Sequence, residues 1–119
     1  MAAYSSLFRQ FAELNSMVFN YVVYKITFPN GKIYVGKDEG GLGHSLNYFG
    51  SWDANLVEQD FSKAELQDLT LRKKILFESE SKEEIRRMES VLIRELRSSD
   101  PSIGYNQTHK KRETEKSST

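Results

Sequence analysis

The spacing of apolar residues divides the chain into helical and extended segments. Over residues 4–18, Leu7, Phe8, Phe11, Leu14 and Val18 recur three and four positions apart, which predicts an amphipathic helix. From Asn20 to Phe28 and from Lys32 to Lys37 the pattern changes to β-branched and aromatic residues on either side of Pro29-Asn30-Gly31, which predicts a hairpin. Residues 38–50, punctuated by Gly40, Gly41, Gly43 and Gly50, read as a loop. Residues 53–69 read as helix in two pieces, because Ser62 and Glu65 have the spacing of a capping box. Thr70 to Glu78, carrying Leu71, Ile75, Leu76 and Phe77, predicts a third strand. Ser81 with Glu84 gives a second capping-box signal and opens a helix to Arg97, which Asp100-Pro101 and Gly104 end. After Gln107 the sequence is polar and charged, so residues 108–119 are expected to be a disordered tail.

The hairpin turn decides which side chains share a face. Pro29 suits the first central position of a type I turn and Gly31 the left-handed residue that follows, favouring a three-residue loop with Gly31 in the bulge position. Phe28 then pairs with Lys32, Ile26 with Tyr34 and Tyr24 with Gly36, so Tyr24 and Tyr34 become diagonal neighbours on one face. Gly36, opposite Tyr24, leaves an empty slot. A two-residue Asn30-Gly31 turn would instead place the tyrosines on opposite faces. Two phenols beside a glycine gap suit phosphodiester chemistry: a phenol can orient or deprotonate a water and can donate to a non-bridging oxygen. The bare glycine lets a phosphate or metal approach the backbone. Tyrosine also favours strands for structural reasons alone, and the hairpin by itself is open to both readings.

The helix after Ser81 carries the second chemical signal. Advancing about 100° per residue from Ile85 puts Leu92 near −20°, Leu96 near +20°, Met88 near −60° and Ile93 near +80°. Glu89 falls at about +40°, inside this apolar stripe. A carboxylate there is costly unless it is paired or holds a metal. Arg72 or Lys25 could satisfy it. Alternatively, one carboxylate with waters and substrate phosphate is how a hard cation such as magnesium is often held.

Composition bounds the picture. The 119 residues, 38% hydrophobic and 29% charged, suit one small domain with a modest core. The absence of cysteine excludes disulfides and thiolate metal sites. The start has no basic leader region and no stretch has the length of a membrane span, so a cytoplasmic location and no membrane partner are expected. Formal net charge is +0. Any hold on a phosphate backbone should therefore be weak and salt-sensitive, concentrated at Arg72-Lys73-Lys74 and Lys110-Lys111-Arg112.

Val22-Val23-Tyr24 and Tyr34-Val35-Gly36, at this spacing, resemble the two short motifs that name the GIY-YIG nucleases, with Val22 in place of the first glycine of the name. The helix containing Glu89, then Ile93-Arg94-Glu95-Leu96 and Gly104-Tyr105-Asn106, is similar to the end of that domain, so the likeness covers residues 20–107. The resemblance implies an α+β fold, a small three-stranded antiparallel sheet flanked by helices, with residues 1–19 as an extra N-terminal helix. It implies metal-dependent hydrolysis of DNA phosphodiesters. Tyr24 would activate or orient the water, Tyr34 would support it and contact the scissile phosphate, and Glu89 would hold one divalent ion, Mg2+ or Mn2+. Asn106 would order the rim or contact the backbone, and Gly36, Lys37 and Arg72 are the further substrate contacts.

One departure stands out: the family arginine on the helix after the second motif is missing, since no arginine occurs between Arg9 and Arg72. His44, eight residues after Gly36, and Lys37 are the candidate cations, and Tyr48 falls where the family often has histidine or tyrosine. Tyr48-Phe49-Gly50-Ser51 is similar to a loop of phage and mobile-element nucleases. The expectation is a magnesium-dependent endonuclease acting on double-stranded DNA, without a small-molecule cofactor, a monomer or weak dimer that nicks one strand per encounter. The alternatives are a catalytically weakened or inactive nucleic-acid-binding relative, and an interaction protein whose tyrosines are structural.

Overall fold

The computed structural model describes residues 20–40, 44 and 48–107; the helix expected over residues 4–18 and the tail after 107 lie outside the described residues. Strands β1 (Tyr21–Thr27) and β2 (Ile33–Asp38) form the hairpin. The Phe28 N–H donates to Lys32 O at 2.9 Å and the Gly31 N–H to Phe28 O at 2.9 Å, with Gly31 at φ 86°, closing the three-residue loop that proline and glycine favour. Ile26 pairs with Tyr34 and Tyr24 with Gly36, the register the longer loop requires. Strand β3 (Arg72–Ser79) runs antiparallel on the other side of β1, giving the order β2-β1-β3 and the expected α+β architecture.

As the central strand, β1 is buried on both faces, and its alternation splits the core in two. Val22, Tyr24, Ile26 and Phe28 join Tyr34, Val57, Phe61 and Tyr105 on one side. There, residues 48–71 and the short helices α1 (Ala54–Asp60) and α2 (Lys63–Gln67) cover the sheet. Phe28 anchors this layer, edge-on to Trp52 at 5.2 Å and to Tyr105 at 4.7 Å between ring centroids. Val23 and Val35 face the other way, against Ile85, Met88, Leu92, Ile93 and Leu96 of helix α3 (Lys82–Leu96).

The helix starts follow from their caps. Asp53 accepts from the N–H groups of Asn55 and Leu56 at the head of α1. Ser62 and Glu65 complete the reciprocal box of α2, at 3.2 and 2.8 Å. At α3 only half of the expected box forms: Ser81 Oγ accepts from the Glu84 N–H at 3.2 Å, but the Glu84 carboxylate turns to Ser79. The Ser79 hydroxyl donates to Glu84 at 2.8 Å and accepts from the Ser81 N–H at 3.0 Å, relaying the bond that glutamate was expected to make itself.

The outer edge of β2 is closed by the chain after α3. The Ile33 N–H donates to Ile103 O, the Tyr105 N–H to Ile33 O, and an isolated parallel bridge joins Ile33 to Gly104. Gly104 permits this approach, since a Cβ there would lie 2.4 Å from Ser98 O and 2.6 Å from Ile33 O. An otherwise templating edge is thereby paired, and Asn106 is delivered beside Val35. Among the described residues no helix is long and apolar enough to cross a membrane.

Candidate active site

The register of the hairpin sets Tyr24 and Tyr34 on one face, with ring centroids 6.3 Å apart and planes inclined at 52°. Gly36 is essential to that arrangement: a Cβ there would lie 2.7 Å from Tyr24 Oη and 2.8 Å from Tyr34 Cε2. Gly50, at φ 107°, presses on the same rings from the covering loop, where a Cβ would lie 2.6 Å from Tyr24 Oη and 2.3 Å from Tyr34 Cε2. Tyr24 is thus held between two bare glycines. The bulge in β3 falls beside it, with Val23 opposite Phe77 and Tyr24 opposite Ile75, so Leu76 is the extra residue.

Tyr24 is fully buried, and its hydroxyl has no hydrogen-bond partner among the described residues. It lies near enough to ease ionisation of Tyr34, yet completes no bond of normal geometry. Burial pushes the Tyr24 phenol far above its ordinary range, and the neighbouring Tyr34, Tyr48, Asp38 and Glu89 push it further. Tyr34 is also raised, by burial first, against the pull of the Ser51 N–H that donates to its oxygen at 3.2 Å. Glu89 opposes ionisation of this phenol too. At neutral pH both tyrosines are therefore hydrogen-bond donors rather than phenolates.

Glu89 approaches Tyr34 from the far side of the sheet, and its charge acts on both phenols. Helix α3 packs on the Val23–Val35 face, while the tyrosines occupy the opposite one. The two meet at the β2 edge, in a pocket of about 330 Å3 lined by Tyr34, Ser51, Glu89, Ile93, Asn106 and Gln107. Glu89, which the wheel sets inside the apolar stripe, is partly buried and lines this pocket beside Ile93. Asn106 fixes the pocket wall: its Oδ1 accepts from the Val35 N–H at 2.9 Å and its Nδ2 donates to Val35 O at 2.7 Å. The side chain serves the protein backbone and orders the rim.

Tyr48 also joins the site, edge-on to Tyr24 with centroids 6.4 Å apart, its hydroxyl 3.1 Å from Ser51 Oγ. His44 lies one ring further out, 5.7 Å from Tyr48, with Nδ1 at 2.8 and 2.7 Å from the two oxygens of buried Asp38. The remaining two sequence candidates stand elsewhere. Lys37 alternates to the α3 face and pairs with Glu39 at 3.2 Å, which also takes Arg86 at 2.9 Å. Arg72 pairs with Thr27 on that same face, towards the hairpin turn and away from Tyr24.

The cation that does accompany the tyrosines is Lys73. Its Nζ lies 4.3 Å from the Tyr24 ring centroid and 5.4 Å from that of Phe49, and it donates to the Tyr48 carbonyl. Burial lowers its pKa and the charge of Asp38 pulls it back up. The lysine was visible in the sequence within Arg72-Lys73-Lys74. Only the strand register, which pairs Lys73 with Ile26, picks it out as the one member facing the tyrosines.

No family model, curated protein or solved structure matches this chain.

Proposed function

We propose that this protein is a metal-dependent endonuclease of the GIY-YIG kind that hydrolyses DNA phosphodiester bonds, one strand per encounter. The observation that carries the reading is the pocket shared by the Tyr34 phenol and Glu89, which comes from an α-helix on the opposite sheet face, with the protonated Tyr24 packed against Tyr34. A buried hydroxyl without a partner is costly to fold around. Tyr24 Oη is such a group, and a water would satisfy it.

The residues present fit a hard divalent cation. Among the described residues no group of three or more metal-ligating side chains gathers, but Glu89 opens into a pocket whose other polar groups, on Tyr34, Ser51, Asn106 and Gln107, include oxygens. Magnesium takes one or two carboxylates and keeps waters and phosphate oxygens for its other positions. Bound there, Mg2+ or Mn2+ would supply Lewis-acid stabilisation of the leaving oxygen.

The protein groups have separable tasks. Tyr24 keeps its proton and would orient the attacking water, because burial and four neighbouring groups oppose a phenolate. Tyr34, fixed by the Ser51 N–H, supports that position. Lys73, beside the Tyr24 ring, would take the part of the absent arginine and supply positive charge to the phosphorane. His44, held through Nδ1 by Asp38, would offer Nε2 as a hydrogen-bonding group at the rim.

The test is relaxation of supercoiled plasmid with and without magnesium. Wild type should give open circles before linear DNA, and Glu89→Gln should abolish nicking while leaving circular dichroism and melting unchanged. Full activity in Glu89→Gln would sink the metal assignment. A non-catalytic nucleic-acid-binding relative is the second reading, favoured by the upward shift of Tyr24; binding without cleavage in both magnesium and manganese would establish it.

A further inference from the structure

We infer that Phe49, with Tyr48 and Lys73, forms a stacking site for an unpaired base of the DNA, so that the enzyme selects unpaired nucleotides beside the bond it cuts. This rests on the nuclease reading and narrows its substrate class. Tyr48 and Phe49 are the exposed large hydrophobic residues among those described, at 37% and 39% exposure, and they are adjacent. Tyr48 packs edge-on to Tyr24, so the pair adjoins the tyrosine site rather than forming a remote patch. Gly50 is pressed against both tyrosine rings and the Ser51 N–H is bonded to Tyr34, so Phe49 is anchored one residue from the phenols.

The chemistry of this region matches a nucleotide on two counts. Its aromatic surface offers a ring face, and base–aromatic stacking tolerates any base because every base has a π-face. Lys73 lies over Phe49 and Tyr24 and is tied to the Tyr48 carbonyl, which places a positive charge at the rim for the adjoining phosphate. A paired base hides its face within the helix stack and could not reach Phe49; a bulged, frayed or single-stranded one can. The balance of charge adds weight. With formal net charge +0, long-range attraction to duplex backbone is weak, and stacking supplies affinity that a basic surface would otherwise give.

The experiment compares two duplexes, one fully paired and one carrying a single bulged fluorescent adenine analogue, binding full-length protein with a chelator present so that nothing is cut. The bulged duplex should bind about tenfold tighter with its fluorescence quenched by stacking. Phe49→Ala should remove both the preference and the quenching, and Phe49→Trp should keep both. Equal binding of the two duplexes, or quenching that survives Phe49→Ala, overturns the inference. Cleavage with magnesium then separates the two levels. If the stacking results hold but neither duplex is cut, the stacking site stands and the nuclease reading falls. If both duplexes are cut equally and Phe49→Ala changes nothing, the nuclease stands and the stacking site falls.

Discussion

A single hydroxyl carries opposite consequences for stability and activity. Tyr24 Oη is fully buried and unpartnered among the described residues, and leaving such a group without a bond costs about 1–3 kcal/mol. Tyr24→Phe removes the oxygen, keeps the ring between Gly36 and Gly50, and should stabilise the protein by about 1 kcal/mol. In a domain of this size that raises the melting temperature by about 4–8 °C. The same change should lower the nicking rate about 100-fold or more, since the lost group is the one positioned to hold the water. A variant both more stable and less active is the signature of a strained functional group; a drop in melting temperature would mean that the hydroxyl has a structural partner after all.

The elements divide by how local their causes are. The hairpin was legible because its turn, pairing and shared face all depend on Pro29-Asn30-Gly31, three neighbouring residues whose backbone preferences act without help. Helix α3 was legible too, because periodicity alone separates its apolar stripe from the surface. What could not be read was anything set by contacts between distant segments. The half-formed box at Ser81 is a local exception: it depends on Ser79, two residues before the cap, turning its hydroxyl towards Glu84. The edge-closing run from Ile103 to Asn106 depends on chain folding back to β2. Above all, β3 offers three consecutive cations, and the pairing with β1, bulge included, selects the middle one. That selection is testable. Lys73→Met should lower kcat about 100-fold, as loss of a charge aimed at a transition state does. Lys74→Met, paired with Lys25 on the other face, should mainly weaken binding and reduce its salt dependence. Equal effects of the two on kcat would mean that the register does not decide the chemistry.

At the scale of the whole molecule, buried phenols make stability depend on alkaline pH. Tyr105 ties the domain together: it is buried beneath the hairpin turn, donates to Asp60 at 2.7 Å and accepts from Asn30 Nδ2 at 2.8 Å, while Asp60 also takes Lys32 at 2.6 Å. Burial, then the hydrogen bond and charge of Asp60 against the opposing help of Asn30, push the Tyr105 phenol from 10.0 up to about 12. Tyr24 and Tyr34 are shifted in the same direction. Between the unfolded and folded values the native protein holds protons that the unfolded chain has released, so stability must fall as pH rises. The contribution of Tyr105 is complete below pH 10 and is lost as pH rises through about 12. Melting temperature measured against pH for wild type and Tyr105→Phe isolates this effect from the lysines, which both proteins share. The advantage of wild type should be constant below pH 10 and shrink from there to about 12, with native phenolate absorbance appearing later than that of the unfolded chain. A difference that stayed flat across that window would mean that Tyr105 titrates as it does in the unfolded chain and that its bond to Asp60 does not hold the proton.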